Sequence, residues 1–205
     1  MDIPKFSEAN HPIVKALFHQ SDTDLLALYQ QKPEEGKYFT AIFCRYSAIV
    51  YTLVRHMAKS PVQADYLFAS IWRHVFHEMR SLDLQSREDG QSTLQNWLID
   101  VTAQAINQSE LPPVESIHYS LDTAPPPLWC YLQQALDVLS PLSRLIVVMS
   151  QTFRWSETRI AAYLQAEGSA ISAAEVARRL PTAIAQLEDT LPKDICEIYL
   201  GVEAA

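Results

Sequence analysis

Glycine is scarce in this 205-residue chain, which has only 4, and that argues against hairpin-rich β folds, whose tight turns depend on it. Long apolar runs are missing too: the longest strongly apolar one, Leu145 to Met149, falls far short of the roughly 20 residues of a membrane span. No basic segment leads into an apolar stretch at the N-terminus, so the expectation is a cytoplasmic protein with no membrane partner. Cys44, Cys130 and Cys196 lie far apart with no CxxC pair, which suggests buried thiols and neither a disulfide framework nor a metal knuckle. P-loop, G-x-S-x-G and metal-protease patterns are absent. A protein that is not an enzyme and uses no cofactor is the expectation. Excess positive charge is missing as well. The formal net charge is −8, divided evenly at residue 115, with 10 basic against 14 acidic residues before it and 6 against 10 after. Because neutralising phosphates supplies most sequence-independent DNA affinity, the chain alone is expected to bind DNA weakly.

Proline and apolar residues are plentiful, with 12 prolines and a 48% hydrophobic content. That combination suits helices punctuated by proline around real cores. After Pro33, apolar residues at Phe39, Ile42, Phe43, Tyr46, Ile49, Val50, Leu53, Val54 and Met57 predict one long helix. Ser60 and Pro61 open a second, whose buried face carries Leu67, Ile71, Trp72, Val75, Phe76 and Met79. Shorter helices are predicted over Pro12 to His19 and Ser21 to Gln31. Ser81 to Gln91 reads as a loop, and Ser92 with Gln95 as a capping box opening a helix that buries Leu94, Trp97, Leu98, Val101 and Ala105.

The prolines at 112, 113 and 125 to 127 predict a stiff linker at a domain boundary. Beyond it, helices are expected over Leu128 to Leu139, Pro141 to Gln151, Ser156 to Gln165 and Ser172 to Leu191, with a short tail helix opened by Pro192. Ser156 as a cap, Gly168 as a break, and Ser172 with Glu175 as a capping box give the third and fourth the pattern of a helix-turn-helix.

In the first half, Leu25, Leu26, Leu28, Tyr29, Phe39, Arg45, Tyr46, Val50, Tyr51, Leu53, Ala64, Leu67, Ile71, Trp72, Trp97 and Leu98 form one spaced pattern. Ala135, Leu136, Leu139, Arg144, Ser156, Ile160, Ala161 and Leu164 form a second, continued by Ile171, Ser172, Val176, Arg179, Leu180, Ala183 and Leu187. Together, over about residues 21 to 195, they resemble the extracytoplasmic-function sigma factors of bacterial RNA polymerase. The resemblance implies an all-α chain of two helical domains: a region-two-like bundle at 10–108, a Pro-rich linker at 109–127 and a region-four-like helix-turn-helix domain at 128–200. It also implies docking on the clamp helices of core RNA polymerase, placement of a recognition helix in the major groove of promoter DNA, and an anti-sigma or other regulatory protein as a further partner. The implied polymerase-contact positions are Asp65, Tyr66, Leu67, Phe68 and Ser70.

Several positions depart from the family. Its polymerase-binding segment usually reads Asp-Leu-Val-Gln-Glu, where this chain has Tyr66, Leu67, Phe68, Ala69 and Ser70. Usually basic recognition-helix positions are Ala177, Thr182, Ile184 and Ala185, which leaves Arg178 and Arg179 as the basic pair. The candidate DNA contacts are therefore Arg73 and Arg80, which project off the apolar stripe, and Arg154, Arg159, Ser172, Arg178 and Arg179 around the helix-turn-helix. The plainer alternative is a charged surface answered by Glu157, Glu167 and Glu175, and with it a sigma-like regulator acting by protein contacts without reading DNA. Trp72, Phe76 and Trp97 could stack on unpaired bases, but their places on the apolar stripes favour the core. His74 and His77 could present two metal ligands on one helix face, but no third stands at a useful spacing.

Overall fold

The computed structural model describes residues 3–84 and 93–201, and every regular element among them is helical. The helices are α1 (Pro12–Lys15), α2 (Asp22–Gln31), α3 (Gly36–Arg55), α4 (Pro61–Glu78), α5 (Leu94–Gln108), α6 (Pro126–Val138), α7 (Pro141–Gln151), α8 (Glu157–Ala166), α9 (Ala173–Thr190) and α10 (Lys193–Leu200). Two compact units result, Met1–Cys130 with Pro192–Ala205, and Tyr131–Leu191.

The first unit is organised around α3, which packs against α1, α2, α4, α5 and α10. Its apolar stripe buries Phe39, Ile42, Phe43, Tyr46, Val50 and Val54, as the helical spacing predicts. Facing them, α4 contributes Phe68, Trp72 and Phe76, and the rings meet mostly edge to face: Phe39 lies 4.9 Å from Phe76 and Phe43 lies 5.0 Å from Trp72, centroid to centroid. That geometry sets the positive edge of one ring against the negative face of the next. Tyr29 of α2 joins the cluster, its hydroxyl donating to the Phe76 carbonyl. Ser60 caps α4, its hydroxyl accepting from the Gln63 amide at 3.2 Å. At α5 the cap is Thr93, which accepts from the Asn96 amide at 3.1 Å. The expected loop from Ser81 and the expected cap Ser92 extend over residues 85–92, outside the described residues.

Several boundaries differ from the sequence expectation, the first helix among them, which ends at Lys15 and not at His19. Residues 109–127 are not a free linker: Gln63 Nε2 donates to the Pro112 carbonyl at 3.1 Å, Leu121 is buried, and the Tyr119 and Trp129 rings lie 5.1 Å apart. α6 then opens at Pro126, so Pro126 and Pro127 occupy its first turn, where the missing N–H groups have no helical partner in any case. The tail is a further correction. α10 belongs with the first unit, not with the helix-turn-helix. Glu35 at the N-cap of α3 makes no side-chain cap bond; the Asp194 carboxylate supplies it instead, accepting from the Gly36 amide at 3.0 Å and the Lys37 amide at 2.9 Å. Tyr199 of α10 also donates to buried Glu8 at 3.0 Å, and burial raises the Glu8 carboxyl above the usual carboxylate range. The first unit likewise extends upstream of residue 10, with the Phe6 ring 4.7 Å from Phe43.

The second unit is a small helical assembly in which α7, α8 and α9 pack on one another. Ile146, Met149, Ile160, Ala161, Leu164, Ile171 and Val176 form its main core, and Leu139, Val147 and Ala183 a second cluster. Ser156 and Ser172 cap α8 and α9 as expected, accepting from the Arg159 and Glu175 amides. α8 ends in a left-handed Gly168 (φ 87°), with the Ser169 amide bonded back to Leu164 and the Gly168 amide to Gln165, the paired bonds of a glycine-terminated helix. Gln165 braces the turn by donating to the Ile171 carbonyl at 2.6 Å.

At the end of α7 the chain takes the same left-handed conformation without glycine: Arg154 has φ 55°. A side chain there costs about 1–2 kcal/mol, less whatever glycine loses by its freer unfolded chain. Arg154→Gly is therefore expected to stabilise the protein by about 1 kcal/mol, a rise of a few degrees in thermal melting. An equal or lower melting temperature would show that the arginine side chain itself holds the turn.

Candidate functional site

The α4 segment expected to meet polymerase is divided between surface and core. Leu67 is 3% exposed and Phe68 fully buried, the Phe68 ring packing 5.2 Å from Tyr51 and 6.0 Å from Phe43. Neither can serve as a contact residue in this fold, because α4 is covered on more than one side and its fourth-spaced apolar residues are consumed by packing. Asp65, Tyr66 and Ser70 remain half-exposed. Asp65 accepts from the Tyr51 hydroxyl at 2.9 Å; burial raises its carboxyl above the ordinary value, with the tyrosine bond acting the other way. The Ser70 hydroxyl is buried with no hydrogen-bond partner among the described residues.

Arg73 and Arg80 do leave the apolar stripe, but aromatic rings of their own unit hold them. The Arg73 guanidinium lies 5.2 Å above Trp129 and that of Arg80 4.8 Å above Phe76. Each is a cation–π contact. Burial pushes the nearby Tyr29 phenol up to about 12, partly opposed by Arg80. Trp72, Phe76 and Trp97 are all buried, so none is a platform for bases. His74 and His77 are exposed, and among the described residues no group of three His, Cys, Asp or Glu could hold a metal ion.

The arginines expected around a helix-turn-helix form two sets. On α9, Arg178 donates to Glu175 through Nε at 3.1 Å and Nη2 at 2.8 Å, and Arg179 through Nε at 2.6 Å. Bonding to both arginines lowers the Glu175 carboxyl to about 2, so one carboxylate answers the basic pair at neutral pH. Ser172, between turn and helix, uses its oxygen as the α9 cap. Arg154 and Arg159 flank the start of α8 and meet no carboxylate among the described residues. The Arg159 guanidinium lies 4.4 Å above the Trp155 ring.

No family model, curated protein or solved structure matches this chain. The site must be judged on its own geometry. That geometry offers two serine-capped helices, α8 and α9, joined by a glycine-terminated turn, and α9 exposes Ala174, Ala177, Thr182 and Ala185, small side chains that do not obstruct a close approach, beside the long side chain of Arg178. In the first unit it offers Asp65 and Tyr66 on α4, and a shallow apolar groove between α3 and α5 lined by Leu53, Met57, Ile99, Ala103 and Ile106. Sequence reasoning missed Phe153, Trp155 and Tyr163, which lie beside the unanswered arginines. Their signal was available: two aromatics at alternate positions in a polar connection, on either side of Arg154.

Proposed function

We propose that this protein is a non-catalytic, sigma-type transcription initiation subunit of the cytoplasm, which binds core RNA polymerase through its first unit and carries promoter DNA contacts on its second. The observation that carries the reading is the helix-turn-helix pattern: two serine-capped helices, a glycine-terminated turn and an α9 face on which small residues surround Arg178, downstream of a helical unit with a half-exposed acidic and aromatic pair on α4. Among the described residues no helix is long and apolar enough to cross a membrane, which fits action away from the bilayer.

A second reading, a sigma-like regulator working by protein contacts alone, is favoured by one specific feature. Glu175 occupies the donor fork of Arg178 and the Nε of Arg179, and a guanidinium so engaged presents a weaker field to phosphate.

The two readings are separated by measuring DNA binding of the complex with core polymerase over a salt series, with the wild-type chain and with Glu175→Gln. For a DNA-reading subunit, Glu175→Gln frees two cations. Affinity at low salt should rise, and the slope of log affinity against log salt should steepen by about 1–2, given ~0.9 per phosphate neutralised. No promoter selectivity, together with a slope indifferent to the substitution, would favour the protein-contact reading.

A further inference from the structure

We infer that Phe153, Arg154, Trp155, Arg159 and Tyr163 form a docking site for an acidic peptide segment of a partner protein, one whose carboxylates bracket a large apolar side chain. The site lies wholly within the second unit and is independent of polymerase recruitment.

Its centre is Trp155, half-buried and packed against the core cluster that includes Ile146, Met149 and Ile160. The Phe153 and Tyr163 rings lie 5.8 and 5.6 Å from it, centroid to centroid. Both rings face solvent, at 52% and 43% exposure. Arg159 and Tyr163 are one helical turn apart on α8 and so share a face, and the Arg159 guanidinium is held over Trp155. Rigid aromatics with arginine, anchored from beneath, are the composition that dominates binding energy at protein interfaces.

Charge identifies the occupant. Elsewhere in this unit the arginines have carboxylates of their own: Arg144 pairs with Asp137 at 2.9 Å, and Arg178 and Arg179 pair with Glu175. Arg154 and Arg159, beside the exposed rings, have none among the described residues. Arg154 also stands in a left-handed conformation that suits glycine better, and a strained residue whose side chain is unused within the fold is one whose function lies outside it. Two unanswered cations match two carboxylates. They match a nucleic-acid strand poorly, since every stacked nucleotide brings a phosphate of its own and two cations answer no more than two, whereas a peptide places carboxylates only where its sequence puts them.

The test uses the full chain and fluorescein-labelled peptides of fourteen residues carrying Asp and Glu on both sides of a leucine or phenylalanine. Matched peptides with Asn and Gln, and a labelled oligo(dT) of similar length, serve as comparisons. The acidic peptides should bind saturably and at least about tenfold more tightly than the amide peptides, as expected for charge-assisted bonds. Arg159→Ala and Arg154→Gly should each weaken binding by about fivefold to tenfold. Arg154→Gly is the safer variant, because it relieves the backbone as it removes the cation. Absence of saturable binding by the acidic peptides would overturn the inference, as would binding unchanged in both variants. Oligo(dT) binding more tightly than any peptide, and lost in the variants, would assign the face to nucleic acid instead.

Discussion

Asp194→Ala is expected to destabilise the protein by about 2–3 kcal/mol and release α10 from the first unit. The carboxylate accepts from the Gly36 and Lys37 amides at the start of α3 and from the Ile195 amide at 2.9 Å. Hydrogen bonds to a charged group contribute about 1.5–3 kcal/mol each, and loss of a helix cap typically about 1. Not all of this is lost, because water reaches the half-exposed site. For a chain of this size the change corresponds to a fall of about 5–10 °C in melting temperature. Hydrogen exchange gives the local readout: the Gly36 and Lys37 amides should exchange faster while those in the middle of α3 remain protected. Asp194→Asn keeps an acceptor and should lose about half as much. Unchanged melting and exchange in Asp194→Ala would mean that α10 is held by its apolar contacts, such as fully buried Ile195, and that the cap is incidental.

The second large effect is expected at Trp72. Its ring is fully buried and touches Phe39, Phe43 and Phe68 at centroid distances of 5.9, 5.0 and 6.3 Å. Trp72→Ala removes the ring and leaves a cavity, at a cost of about 3–5 kcal/mol. Trp72→Phe should behave differently. The indole Nε1 has no hydrogen-bond partner among the described residues, so phenylalanine keeps most of the apolar contact and removes a buried, unsatisfied donor. A cost of about 1 kcal/mol or less is expected, read by denaturant titration. A loss as large as that of the alanine variant would show that the indole nitrogen is bonded after all.

These effects bear on how much of the fold can be read from the chain. The periodicity of α3 and α4 names most of the core residues because a long amphipathic helix has one way to bury its stripe, but Met57, expected on the same stripe, lies past the end of α3 and is 56% exposed, and Ile49 and Leu53 are only half-buried. Ser60, Ser156 and Ser172 mark helix starts because capping is local, decided within three residues. The contact between Asp194 and α3 joins residues more than 150 positions apart, and nothing local announces it. Pro125 to Pro127 misled in the opposite direction: proline excludes a helix interior but is welcome in the first turn, and only packing decides which applies.

The candidate site was legible in part. The pairing of Glu175 with Arg178 and Arg179 follows from helical spacing and was anticipated as the plainer alternative to a phosphate patch. The burial of Leu67 follows from its place on the predicted apolar face of α4, but that of Phe68 does not, because the sequence gives the angular position of a residue on α4 but not how many neighbours surround that helix. Arg154 and its flanking aromatics became visible only when a positive φ and exposed rings were found together.

The central claim, that this is a sigma-type subunit, is tested most directly by passing the purified full chain with core RNA polymerase over a size-exclusion column. The account predicts stoichiometric co-elution that survives moderate salt and is weakened by a charge reversal at Asp65 or by Tyr66→Ala. Elution of the chain apart from the polymerase at every salt concentration would contradict it.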